Sequence, residues 1–281
     1  DRTGRLQVGP ARRVPVSLLA YQDPRMAQNM RHLDLHMRRR PSPDFLEFWF
    51  LAREPENPLE HPAARQALRI LRDGPLPLAV LLERLGVYHP LQFDGPGLLN
   101  QGLVGVAGLT PTDLLHVRGD FTAWNLEAAG SVVRLFARLL GMPTENLIDQ
   151  VLEDIAGRIV REVVFFLSGR SAAAEEDGRA GGGLGNWMLG QAIRNDHPLL
   201  GMDLRLDVPL IGLGAPAGAL LPRVAELLHT DLILPPHYAV ANAVGAVAGN
   251  VMVQCDTWVL PEMEGARVIG CLLYTSDAAD E

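Results

Sequence analysis

Between Leu204 and Leu260 the apolar period switches repeatedly between two and 3.6 residues, and this alternation limits the possible folds more than any other stretch of the chain. Leu204 to Leu213 reads as a strand, Pro216 to Leu228 as a helix, Asp231 to Leu234 as a strand, Ala239 to Gly249 as a buried helix and Val251 to Leu260 as a strand. Strands and helices that take turns in this way predict an α/β layer with right-handed crossovers. The sharpest point in it is PLIGLGAPAGALLPRVAELLH, Pro209 to His229, where three glycines and a proline separate an apolar run from a helical pattern.

That bend has two readings. A strand ending in Gly212-x-Gly214, with Pro216 at the expected first helical position, lets main chain approach a ligand where free N–H groups gather. Tight packing of helix on strand would ask for the same glycines. A dinucleotide fingerprint is disfavoured, since it needs G-x-G-x-x-G and an acid near the end of the next strand. Here the glycines are Gly212, Gly214 and Gly218, Asp231 opens the next strand, and Pro235-Pro236 closes it.

Upstream the pattern is more helical. Arg5 to Val8 suggests a strand, and Asp23 to Arg40 a polar helix or loop in which His32 and His36 stand four apart and could share a helix face as metal ligands. No matching Glu-His motif accompanies them, so a solvated basic face is the preferred reading. From Pro62 to Val106 come a helix (AARQALRILR), a Gly-Pro turn, a second helix (PLAVLLERLG), a loop and LLNQGLVGV, an order that resembles a small winged-helix unit. A DNA reader would carry positive charge on its recognition helix, but Val87 to Gln101 has no Arg and does have Asp94. A structural or protein-contacting insert is therefore expected. Next is GLTPTDLLHVRGDFTAWNLEAAG, then helical patterns over Leu126 to Leu140 and Glu145 to Leu167, stopped by Gly141 and Gly169. In the second, Ile148, Val151, Leu152, Ile155, Ile159, Val163 and Phe166 predict a core-facing stripe. Ser168 to Asn186 reads as a flexible connection.

Composition narrows the chemistry. With 281 residues, 48% of them hydrophobic, the chain can bury a sizeable core in one large domain or two modest ones. All 25 basic residues are Arg, so a Walker-type lysine loop, a Schiff-base lysine and a Ser-x-x-Lys nucleophile are absent from it. A formal charge of -8 gives no general affinity for nucleic acid. The longest weakly polar run, Ala239 to Val253, is too short for a bilayer and carries Asn242 and Asn250. Two cysteines, Cys255 and Cys271, make neither a disulfide framework nor a zinc site, which fits a cytoplasmic protein. Residue 1 is Asp and DRTGRLQVGP reads as a turn entering a strand, so an earlier part of the protein is expected. CLLYTSDAADE, residues 271–281, back-translates codon for codon into the mosaic-end adapter of transposon-based library preparation, and is expected to be a scar outside the fold.

IGLGAPAGALLPRVAELLHTDLILPPHYAVANAVGAVAG resembles the C-terminal part of the hydantoinase A and 5-oxoprolinase family. GLTPTDLLHVRG resembles that family's Thr-x-Thr-Asp segment, and GRLQVGPARRVP the strand and Gly-Pro after its glycine-rich turn. The resemblance implies an actin-like ATPase (ribonuclease H-like) α/β fold, incomplete in this chain and carrying a small winged-helix-like insert. Its implied domains are 1–61, the end of a first α/β portion and a helical connection; 62–106, the insert; and 107–270, the hydantoinase/oxoprolinase-like α/β domain. It implies ATP and Mg2+ as cofactors, a small cyclic amide such as a hydantoin or 5-oxoproline as substrate, a second subunit of the same enzyme system, and no nucleic-acid or membrane partner. Gly212, Gly214, Ala215, Pro216 and Gly218 would match the adenosine-side turn, with Val240 to Gly249 packed nearby. Asp113 could bind metal or orient water and His116 could act in acid–base transfer, while Thr112 or Asp113 could instead cap the following helix. The runner-up functions are the ATP-using subunit of an acetone- or acetophenone-type carboxylase and a non-catalytic actin-like nucleotide-binding regulator. Two departures, ARRVPVSLLA where longer members have a Ser-, Ala- and Gly-rich stretch and TPTDLL for Thr-Val-Thr-Asp-Ala, leave the substrate open. The phosphate-binding turns are expected upstream of Asp1, so the segment is not expected to be active alone.

Overall fold

Arg13–Pro15 (β1) leads straight into α1, Val16–Gln22, which buries Val16, Ser17, Leu19 and Ala20. The computed structural model describes residues 13–26, 29–30, 33, 42–169, 183–248, 253–262 and 265–275; the expected strand at Arg5 to Val8 and the pair His32 and His36 lie outside them. The chain is mixed α/β, mostly helical with a small mixed sheet, and divides into two units, Asp1–Leu204 and Arg205–Glu281. That boundary falls inside the stretch 107–270 that the sequence reading treats as one domain.

In the first unit Phe48–Leu51 (β2) is aromatic and aliphatic throughout, which suits extended backbone with burial on both faces. It pairs antiparallel with β3, Leu76–Pro77, and with β4, Val104–Gly108, and β4 pairs parallel with β1. The sheet order is β1-β4-β2-β3.

Three helices pack on this sheet between β2 and β4. α2, Pro62–Leu71, starts where His61 accepts from the Ala64 amide and Pro62 fixes the first turn, and it buries Ala64, Ala67, Leu68 and Leu71 at i, i+3, i+4, i+7. α3, Leu78–Leu85, buries Leu78, Leu81 and Leu82; a 3-10 turn, Pro90–Phe93, and α4, Gly95–Asn100, complete the set. Trp49 and Phe93 meet edge to face at the centre of their core, with ring centroids 5.5 Å apart. The Trp49 indole donates to Glu47 Oε1 at 3.0 Å and Arg13 Nη2 donates to Glu47 Oε2 at 2.9 Å, so a buried carboxylate joins this core to β1. The helix–strand–helix–helix–strand order of a winged-helix unit is present. It is not a closed insert, because its strands lie in one sheet with residues 13–15 and 48–51.

α5, Pro111–Arg118, is followed by α6, Leu126–Leu140, and α7, Thr144–Leu167, both within one residue of the sequence reading. The stripe on α7 is buried only towards its start: Ile148, Leu152 and Ile155 are buried, Val151, Ile159 and Val163 are half-buried, and Phe166 is 83% exposed. α8, Leu184–Arg194, begins inside the expected flexible connection, whose residues 170–182 lie outside the described set. It crosses α7 closely, since a Cβ on Gly157 would stand 3.0 Å from Ile193 Cγ2.

In the second unit β5, Leu210–Ile211, α9, Ala217–Leu227, and β6, Leu232–Ile233, form one parallel β-α-β step. The expected strand from Leu204 is thus only two residues long. Among the described residues the layer also stops there: after a 3-10 turn, Tyr238–Val240, and α10, Ala241–Ala248, strands β7, Val253–Glu262, and β8, Gly265–Thr275, pair with each other, antiparallel. Residues 271–275, set apart as a scar, pair as the end of β8, and 276–281 lie outside the described residues. The expectation of a buried helix over Ala239 to Gly249 is corrected, for Val244 and Val247 of α10 are 53% and 90% exposed.

Candidate functional site

The T-P-T-D segment folds into the start of α5 with Thr110 as its cap and Pro111 at the first helical position. Asp113 is fully buried and accepts from the Thr110 amide and the Thr110 hydroxyl, each at 2.9 Å. From 96 residues upstream, the Ser17 amide donates to Asp113 Oδ1 at 2.8 Å, and the neighbouring Val16 amide donates to Oδ2 at 3.4 Å. One carboxylate therefore satisfies the first amides of two helices, α1 and its own. Amides at a helix start have no partner within the helix and carry the positive end of its dipole, so a buried anion there is held by both effects. Three of these donors meet at Oδ2 and one at Oδ1, so the carboxylate is chiefly engaged in capping. Asp113 has no exposed surface at which to hold Mg2+ or orient water.

His116 sits one turn on and is also fully buried. Its Nδ1 lies 2.8 Å from the Thr112 carbonyl oxygen, and the Trp124 amide donates to Nε2 at 3.1 Å. An amide N–H can only donate, so Nε2 is the acceptor and Nδ1 carries the proton that bonds Thr112. The ring stacks on Trp124 at 5.5 Å and 20° and meets the edge of Phe121 at 4.8 Å. Both nitrogens are thus engaged, Nδ1 within α5 and Nε2 in pinning the 119–125 loop to it. Thr-x-x-Asp is itself a capping pattern, so the cap half of this arrangement is readable from sequence. Val16, Ser17 and Trp124 as partners are not, because nothing local points to them.

At the bend the three glycines separate by role. A Cβ on Gly212 would stand 2.6 Å from Leu234 Cδ2 and 2.8 Å from Leu221 Cδ1, and one on Gly218 would collide with the Tyr238 hydroxyl. These two serve packing. Gly214 differs: its φ is 102°, a conformation that L side chains rarely adopt, yet a Cβ there would meet nothing closer than Pro216 Cδ at 3.9 Å. The Gly212 amide donates to Ile233 O at 2.9 Å and the Gly214 amide to Tyr238 O at 2.7 Å, which fixes the bend against β6 and the turn after it. Leu213, Ala215 and Pro216 are exposed around it. Pro216 caps α9 and Ala217 is its first residue, one position later than the sequence suggests.

A cleft of about 770 Å3 opens at the other end of the same β-α-β step, lined among others by Arg205, Asp207, Glu226, His229 and Asp231. Ligands of open parallel sheets sit beyond the carboxyl ends of the strands, where the bend is, so the cleft is on the less favoured side. Among the described residues no three His, Cys, Asp or Glu side chains are placed to hold a metal ion, and no helix is long and apolar enough to cross a membrane. Comparison of the chain with family models, curated proteins and solved structures gives no match.

Proposed function

We propose that this chain is part of an ATP-dependent hydrolase of the hydantoinase A and 5-oxoprolinase type, with an actin-like fold in which the Gly212–Gly218 bend meets the adenosine side of the nucleotide. The observation that carries the reading is Gly214, left-handed and open, at the carboxyl end of a parallel strand and just before a helix start. ATP would supply the phosphoryl group that activates a ring amide oxygen and makes the carbonyl carbon a better electrophile for water. The chain's own contribution at the bend is to hold the purine and ribose by main chain, with the strand side locked by the Gly212 and Gly214 amide bonds. Asp113 and His116 position α1, α5 and the loop after it, and the proton transfers fall to other groups.

That last point favours a second reading, a nucleotide-binding regulator without turnover, since Asp113 is buried and engaged by four donors and both ring nitrogens of His116 are bonded. ATP hydrolysis by the whole protein of which this chain is proposed to be part, measured with hydantoins, with 5-oxoproline, and with ketones plus bicarbonate, separates these. Turnover with a cyclic amide supports the hydrolase, turnover with ketone and bicarbonate the carboxylase, and ATP binding without any turnover the regulator.

The bend itself is tested by two variants. Gly214→Val is expected to weaken ATP binding at least tenfold, although it also strains the backbone whatever its surroundings. Ala215→Glu leaves the left-handed residue alone and adds a negative charge within a Debye length of the phosphates, and it should weaken ATP several-fold while sparing adenosine. Unchanged ATP affinity in both, by calorimetry, removes the bend from the site.

A further inference from the structure

Where α7 crosses α8, two arginines converge on a glycine. A Cβ built on Gly190 would lie 3.4 Å from Arg161 Nη2, 3.4 Å from Arg194 Nη2 and 3.5 Å from Arg194 Nη1, so both guanidiniums reach the same small volume. Like charges do not gather beside a buried main-chain position without a reason. Arg194 is turned by its neighbours: its Nε donates to Asp196 Oδ2 at 3.1 Å, and Gln191 also bonds Asp196, which leaves the terminal nitrogens pointing over Gly190. Arg158, one turn before Arg161, pairs with Glu162 at 3.4 Å. Arg161 is half-buried and has no acceptor among the described residues. Its pKa is lowered, first by burial and then by the charges of Arg194 and Arg158, so its protonated form works against the fold. A cation with no acceptor among the described residues, held against a second one, is the arrangement expected of a site whose counter-charge is a ligand.

We propose that Arg161 and Arg194, meeting over Gly190, bind a small oxyanion of the phosphate class. Guanidiniums present planar forks of donors that match two oxygens of a phosphate, and two forks on one centre favour a dianion over a monocarboxylate. The site is independent of the bend at Gly214, being built wholly within the first unit. The net charge of -8 makes unspecific attraction of anions weak, so saturable binding would be informative.

The test uses the protein in phosphate-free buffer at constant ionic strength, titrated by calorimetry with inorganic phosphate, glycerol phosphate or acetate, and melted with and without each. Saturable binding of phosphate with a rise in Tm is expected, and acetate should bind at least tenfold more weakly. Tighter glycerol phosphate than inorganic phosphate would identify a monoester as the natural form, and the reverse the free ion. Arg161→Met keeps the apolar stem and removes the charge: it should raise Tm without phosphate and lose at least tenfold in phosphate affinity. Arg161→Lys keeps the charge without the fork and should fall between. Asp196→Asn, which removes the competing carboxylate from Arg194, should tighten phosphate several-fold. Native-like phosphate affinity in Arg161→Met, no saturable binding, or equal binding of acetate and phosphate would each overturn the proposal.

Discussion

Asp113→Ala is expected to lower the free energy of unfolding by about 3–5 kcal/mol, the cost of breaking a buried charged network by removing one member. The amides of Val16, Ser17 and Thr110 and the Thr110 hydroxyl lose their acceptor together, and the Val16 and Ser17 amides lie where water does not reach, whereas Thr110 is half-buried. An unsatisfied buried donor costs about 1–3 kcal/mol, and partial relaxation keeps the total below the simple multiple. Asp113→Asn keeps one oxygen acceptor but turns an NH2 group towards amide donors, so its loss should be smaller, about 1–3 kcal/mol. Against a typical total of about 5–15 kcal/mol, the alanine variant should be largely unfolded under mild denaturant. Urea unfolding without nucleotide or metal decides the matter, since a residue needed only to hold Mg2+ would leave the midpoint unchanged.

The position of Asp113 shows how far the sequence reaches. Its cap on α5 follows from Thr110, Pro111 and the three-residue spacing to Asp113, which are local facts. Its grip on α1 depends on residues 96 and 97 positions away being brought alongside by the parallel pairing of β1 with β4. Long amphipathic helices are legible for the same local reason: α6 and α7 fall within one residue of their patterns. α8 escapes because Gly185 and Gly190 lower its intrinsic preference and its first turn lies in a Gly-rich run. β2 and β3 escape because they are short and their pairing depends on α2 folded between them. At the bend the glycine spacing predicts a turn, and only coordinates separate Gly214 from the packing glycines Gly212 and Gly218.

His116→Phe is expected to cost about 2–4 kcal/mol, the price of leaving the Trp124 amide without an acceptor and the Thr112 carbonyl without its ring donor. Phenylalanine has nearly the same outline and keeps the stack on Trp124 and the edge contact with Phe121, so packing changes little and the measured loss belongs to the two hydrogen bonds. The effect should be local before it is global. Hydrogen exchange at the Trp124 amide should accelerate more than in α6, because the ring is the tie between the 119–125 loop and α5. A histidine that served only in acid–base transfer would behave in the opposite way, losing turnover with stability and Trp124 protection intact. That pattern would return His116 to the chemistry, and would require Nε2 to exchange the Trp124 amide for a substrate proton during the reaction.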